Sequence, residues 1–362
     1  MENKKRLYLI IGASVTAFLI ILGVIWFTVF ALPAPNDDPV VNEDELNGEE
    51  EIEHDEPMTL SVIDNLSIDV EEEKMVAVII ENHTDSRPQM AGLEEASLVF
   101  ETEAEGGITR FLAFYPYQNT NLVGPVRSAR PYFVSWAEQF NSALAHAGGS
   151  DPGLSAIYSS GNILDLDGLA IEGGLKYFVR DYDYFAPHNL FTNISELREL
   201  MDQRGWDKPL PAVDHFFVFG PVEANSSPSM DDEEASTVHI YYPFPEYFVR
   251  YDYNDSDKLY ERFQAGEPHI DNGNGKQITA SNVVVLITNY YSTDSAGRLY
   301  MKTEGTGDMY LFRDGKVFPG TWERITTLDK YKFYDKNGNE LAFAPGKTWI
   351  SVVNYQGGLQ WE

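Results

Sequence analysis

Arg110, Arg127 and Arg130 cluster in a chain of 362 residues that carries 57 Asp and Glu against 26 Lys and Arg, a formal net charge of −31. A guanidinium presents a planar fork that holds a carboxylate or phosphate through two parallel hydrogen bonds. Arg110 follows a Gly106-Gly107 pair, and Arg127 and Arg130 lie in GPVRSAR, directly after Gly124-Pro125. Glu101, Glu103 and Glu105 alternate just ahead of them. Strand spacing would put these acids on one face, where they raise one another's pKa and where paired carboxylates could cleave a glycoside. Two readings of the arginines stay open. They form an anion site, helped by backbone N–H groups of Gly106-Gly107 and of Gly148-Gly149-Ser150, or they pair internally with the three glutamates. Ser150 with His146 or His188 also invites a hydrolase reading. That motif is GGSDPG, with Pro152 where a nucleophile elbow has its final glycine. His146 sits on an apolar run and reads as a core histidine; His188, between Pro187 and Asn189, is the better site candidate. The ligand-binding set expected from sequence is therefore Arg110, Arg127, Arg130, Glu103, Glu105, Ser150, His188 and Asn189.

Other chemistry is thinner. There is no cysteine, which excludes disulfides, thiolate metal sites, a Cys nucleophile and a lipid-modified N-terminal Cys. No Asp-x-Asp-x-Asp-Gly loop is present, and His269-Ile270-Asp271 offers only two ligand types, so neither a metal nor a cofactor is expected. The acidic balance argues against nucleic acid, whose phosphates are bound by clustered Lys and Arg.

The N-terminus sets the compartment. Lys4, Lys5 and Arg6 precede an apolar run from Leu7 to Leu32. A spanning helix needs about 20 apolar residues, whereas the apolar part of a cleavable signal has about 7–15. The run predicts an uncleaved anchor, with a weak cleavage site at Phe30-Ala31 as the alternative. Basic residues before it and acids after it place the N-terminus in the cytoplasm and the rest outside. Residues 34–73 contain no Lys or Arg and read as a self-repelling, disordered tether.

Residues 74–222 read as an α/β (α+β) domain. Strands are expected over 76–81, 98–102, 108–117 and 143–147, with helices over 89–96, 130–140, 154–159 and 195–204. In the second helix Phe133, Trp136, Ala137 and Phe140 form a core-facing stripe. A Ser/Asp/Glu-rich linker, 223–236, leads to an all-β domain, 237–362, read as a small antiparallel sandwich or barrel. Asp314-Gly315 and Asn337-Gly338 are its hairpin signals. Arg250, His269, Lys316, Trp322 and Arg324 could line a groove there, although Trp322 and Trp349 read as core.

Arg87-Pro88-Gln89 with Gly92-Leu93, EGGITRF at 105–111 and GPVRSAR at 124–130 resemble the YerB-like lipoprotein family of Gram-positive bacteria. Pro187-His188-Asn189, His269-Ile270-Asp271, Asn282 to Val285, Asp314-Gly315-Lys316 and Gly320-Thr321-Trp322 fit the same family's second half. The resemblance implies two domains of unknown function displayed outside the membrane, and no activity. Lacking the lipidated Cys, this chain would be held by its helix. The function expected is binding of a cell-wall polymer, a phosphorylated envelope component or an envelope protein. The alternative is a cell-wall hydrolase or transferase using carboxylate or Ser/His chemistry.

Overall fold

The computed structural model describes residues 59–69, 72–171, 176–211, 215–221, 233–355 and 358–362. The expected membrane helix lies outside them. Among the described residues no helix is long and apolar enough to cross a membrane.

Val76–Glu81 (β1, VAVIIE) is buried at every position, the pattern of a strand covered on both faces. Leu98–Glu103 (β2) and Thr109–Tyr115 (β3) follow as an antiparallel hairpin. Pro131–Glu138 forms helix α1, with proline in its first turn, where the missing N–H has no intrahelical partner to lose. Ala143–His146 (β4), Asp151–Ser159 (α2) and Leu164–Asp167 (β5) make a strand–helix–strand unit, and Ile194–Gln203 forms α3. The helix expected at 89–96 is absent. Two 3-10 turns, Thr84–Gln89 and Leu93–Glu95, stand there, because Pro88 removes a donor and Gly92 takes a left-handed φ of 94°.

Apart from a 3-10 turn at Pro245–Tyr247, the described second half is strand, and its two larger sheets are built from Thr237–Ile240 (β6), Val249–Asn254 (β7), Leu259–Gln264 (β8), Glu267–Pro268 (β9), Thr279–Ala280 (β10), Asn282–Ile287 (β11), Gly305–Arg313 (β12), Lys316–Arg324 (β13), Lys332–Asp335 (β14), Thr348–Val353 (β15) and Leu359–Trp361 (β16). Asp314 (φ 52°) and Gly315 (φ 71°) supply the two left-handed residues of a tight hairpin between β12 and β13.

The two halves do not close separately. A ten-stranded sheet runs β14-β13-β12-β11-β15-β2-β3-β1-β4-β5, and its seam is the parallel pairing of β15 with β2. The expected independent sandwich in the second half is therefore corrected. That half gives five strands to the shared sheet, and β9-β8-β7-β6-β16, with β10 on β8, form a second sheet. Alternation along the central strands sorts the core. Val76, Val78, Ile80, Phe111 and Trp349 pack with Tyr251 and Tyr260 of the second sheet. Ala77, Ile79, Phe100, Leu112 and Ile350 pack with Phe133 and Trp136 of α1. The result is a two-domain, mostly β fold with three short α-helices among the described residues.

The disordered tether expected over 34–73 is corrected in its last part, where the described residues are ordered. Thr59–Leu60 pairs with Ser67–Ile68, Ile63 is wholly buried, and Asp64 accepts from the Tyr117 hydroxyl at 2.8 Å. At the other boundary Ala235 is buried and its N–H donates to Gly315. Apolar residues scattered among the acids were enough to recruit both stretches.

Candidate functional site

The β2–β3 turn positions the first cluster. Gly106 (φ 68°) and Gly107 (φ 73°) reverse the chain in a conformation other residues adopt at a cost, bringing Arg110 back onto Glu105. The Arg110 Nη2–Glu105 Oε2 distance is 3.1 Å. Arg130, the residue capping α1, donates its Nε to the other oxygen of the same carboxylate. Arg130 also donates to the Ala129 carbonyl at 2.7 Å, and Arg110 to the Ser128 carbonyl at 3.4 Å. Burial pushes the Glu105 carboxyl up, but the Arg130 hydrogen bond and the charges of Arg110 and Arg130 outweigh it and hold the group below its ordinary value. The sign follows. A carboxyl depressed in the folded state stabilises it above the ordinary value of 4.5 and loses that contribution as pH falls through the folded value. Wild type is expected to lose more stability than Glu105→Gln between neutral and strongly acid pH in urea melts. Parallel curves would refute this.

The other acids go elsewhere, which corrects the expectation that three glutamates share a face and raise one another. Glu101 is wholly buried against Arg262, Oε2 to Nη2 at 2.8 Å. Glu103 accepts from the Tyr290 hydroxyl at 2.5 Å, and burial pushes its pKa up against that bond. Each carboxylate is separately satisfied.

Arg127 does not join Arg110 and Arg130 on Glu105. Its Nε lies 3.0 Å from Oε1 of Glu81, the buried last residue of β1. His188 Nδ1 lies 2.9 Å from the other Glu81 oxygen, and the His188 ring stacks on His83 at 4.9 Å between centroids. Asn189 is loop scaffolding. Its amide donates to Asp181 and Tyr184 carbonyls at 3.0 and 3.1 Å, and its oxygen accepts from Arg180 at 2.8 Å. The loop so fixed carries His188.

Ser150, expected as a candidate nucleophile or ligand, caps α2, its hydroxyl accepting from the Gly153 N–H at 3.2 Å. His146 is fully buried, with Nε2 2.9 Å from Asp165 Oδ1 and Nδ1 2.9 Å from the Gly148 carbonyl. Ser150, His146 and His188 thus serve three different local structures, and the Ser/His pairing needed for acyl transfer is not formed. What Ser150 and Arg130 do share is the wall of a cavity of about 530 Å³ between α1, α2 and the hairpin Tyr290–Ser292/Leu299–Met301. Arg298, Tyr132, Ser135 and Tyr300 line it too. Tyr300 is half exposed and stands 5.2 Å from Tyr291.

The groove suggested in the second half does not form. Arg250 pairs with Asp252 and lies over Phe263, His269 is buried near Phe111, and Trp322 and Trp349 are core. Arg324 is buried beneath α1, donating to the Ser135 carbonyl at 2.6 Å. Asp271 caps a turn, accepting from the Gly92, Glu94 and Gly273 N–H groups. Sequence reasoning missed Glu81, His83 and Asp85. Their signal was available: polar, metal-competent residues immediately after an apolar strand, where chains expose functional groups.

Residues 64–207 match the family model described as the N-terminal domain of a protein of unknown function (DUF3048), and residues 238–350 match its C-terminal domain. A relative called "Putative lipoprotein YerB", from Bacillus subtilis (strain 168), is 32% identical over 286 residues, covering 78% of this chain and 82% of its own. The crystal structure of YerB protein from Bacillus subtilis superposes with a TM-score of 0.72 at 29% identity, over 84% of this chain and 99% of that one. With both family domains matched in order along the chain, this chain belongs to the YerB-like DUF3048 family.

Proposed function

We propose that this protein is a membrane-associated, outward-facing binding protein of the cell envelope. Its ligand is an anionic glycan or phosphorylated envelope component held in the cavity between α1, α2 and the 290–301 hairpin. The observation that carries the reading is the make-up of that cavity: Arg130 and Arg298 supply cationic groups beside the carboxylates of Glu138 and Asp294, Ser135 and Ser150 line it with polar side chains, and Tyr132 and Tyr300 add aromatic surface. Arginine forks suit phosphate and carboxylate, and Tyr300, half exposed, presents an apolar face with a polar tip, while Tyr132 is buried. The lipoprotein name of the relative supports attachment to the membrane, and the Leu7 to Leu32 run would replace the absent lipidated cysteine, placing the N-terminus in the cytoplasm.

The test is calorimetric titration of the full chain, in detergent, with a purified polyol-phosphate wall polymer. Arg298 is the variant of choice, because its side chain is 46% exposed and its ion-pair partner, Asp294, is only four residues away. Arg298→Ala is expected to weaken binding by tenfold or more, since a hydrogen bond to a charged group contributes about 1.5–3 kcal/mol. No binding by wild type, or equal binding by the variant, would overturn the cavity assignment.

A further inference from the structure

The geometry points to a divalent transition-metal site at the C-terminal end of β1, with His83, Asp85 and His188 as ligands and zinc as the best-suited ion. It stands apart from the cavity proposed above and does not depend on it. One donor atom from each of the three side chains lies within 4.8 Å of the others. His83 Nδ1 and Asp85 Oδ2 are 3.7 Å apart. A tetrahedral ion at about 2.0–2.1 Å from its ligands needs donors about 3.3 Å apart, so a small rotation of two partly exposed side chains closes the set. The hydrogen bond it displaces is a long one, from the Asp85 N–H to His83 Nδ1 at 3.2 Å.

His188 carries the argument furthest. Its Nδ1 faces Glu81 Oε2 at 2.9 Å. A carboxylate beside one ring nitrogen is the arrangement that orients metal-binding histidines, and it leaves Nε2 as the nitrogen of His188 available to ligate. Glu81 is itself buried, with Arg127 Nε 3.0 Å from its other oxygen, so its carboxylate is fixed in place beside His188. Gln89 then ties the two ligand segments together, its amide donating to the Asp85 carbonyl at 3.2 Å and to the His188 carbonyl at 3.0 Å. Two imidazoles stack 4.9 Å apart, each with a carboxylate beside it, and together they offer the donor set a shared cation would use. Imidazole and carboxylate donors suit zinc and its neighbours. Three protein ligands at a surface site leave a fourth position for water or an incoming oxyanion.

The experiment uses the full chain in detergent, stripped with chelator and titrated with Co²⁺ and then Zn²⁺. Co²⁺ is followed by its visible absorption, which distinguishes imidazole ligation from loose binding to the acidic N-terminal stretch. The expected result is one imidazole-coordinated Co²⁺ per chain, displaced by Zn²⁺. Asp85→Asn and His83→Gln should each weaken zinc binding by tenfold or more, the scale on which even outer-shell partners act. Both positions are open to solvent, with side chains 72% and 31% exposed, so unchanged thermal melts should accompany the loss. Absence of the imidazole spectrum, wild-type zinc binding weaker than millimolar, or wild-type affinity in both variants would overturn the site.

Discussion

Arg262→Ala is expected to remove about 3–5 kcal/mol of unfolding free energy, because it leaves Glu101 charged and unpaired between two sheets. Both side chains are wholly buried and meet at 2.8 Å. The guanidinium also lies 4.6 Å from the Trp349 ring centroid and 5.6 Å from those of Phe111 and Tyr251, so truncation removes cation–π contact as well as charge. Thr109 would remain as a donor to Glu101, at 3.0 Å, which cannot replace a cation. Burial already pushes the Glu101 pKa up against the opposing charge of Arg262. Without Arg262 the carboxyl must rise further, and a carboxyl raised in the folded state favours folding as pH falls through its value. The variant should therefore recover part of its stability on acidification. The double variant Glu101→Leu with Arg262→Met should be more stable than Arg262→Ala alone, since well-packed apolar replacement of a buried pair is often neutral. Urea denaturation at neutral and acid pH checks both points, and a loss below about 1 kcal/mol, the scale of an exposed ion pair, would show that the pair is not desolvated in solution.

Trp136→Ala should cost a similar amount, about 3–5 kcal/mol for a fully buried tryptophan. Trp136 stacks on Phe100 at 4.8 Å and donates its indole N–H to the Tyr331 hydroxyl at 3.0 Å. Tyr331 in turn donates to the Thr303 carbonyl at 3.1 Å. The residue belongs to the first family domain, yet its partners Tyr331 and Thr303 belong to the second. The variant should accordingly lower the stability of both halves in one transition, and Trp136→Phe should lose less because it keeps the ring. Urea melts read by fluorescence and by far-ultraviolet dichroism should coincide. Two separate transitions, or a loss under about 1 kcal/mol, would contradict the shared core, where point changes of that size are typical of less critical sites.

Local features of this fold were legible in the sequence. The VAVIIE run is a central strand, the Phe133/Trp136/Ala137/Phe140 stripe is buried, Trp322 and Trp349 are core, and Asp314-Gly315 is a hairpin turn. Proline and glycine misled in both directions. β13 runs straight through Pro319-Gly320 to Arg324, although both residue types usually interrupt a strand. Gly320 is needed there because a Cβ would fall 2.0 Å from the Tyr334 carbonyl oxygen. Pro152 suggested that α2 starts at Leu154, although Ser150 and a first-turn proline mark its true start at Asp151.

Partner choice was the illegible part. The sequence places Glu101 near Arg110, whereas its cation is Arg262, 161 residues away. The choice is made by which strands lie face to face, and spacing along the chain carries no record of it. His83, Asp85 and His188 come together for the same reason, across a β1 end and a distant loop.

The seam between β15 and β2 has a temporal consequence. Thr102 donates its hydroxyl to Val352, 250 residues downstream, so during synthesis the first half waits with a bare β-edge until nearly all of the chain has emerged. Such an edge invites pairing with foreign strands, and contacts this distant form slowly. Chains ending before Thr348 should thus behave as sticky, unfinished sheets rather than as a smaller working module.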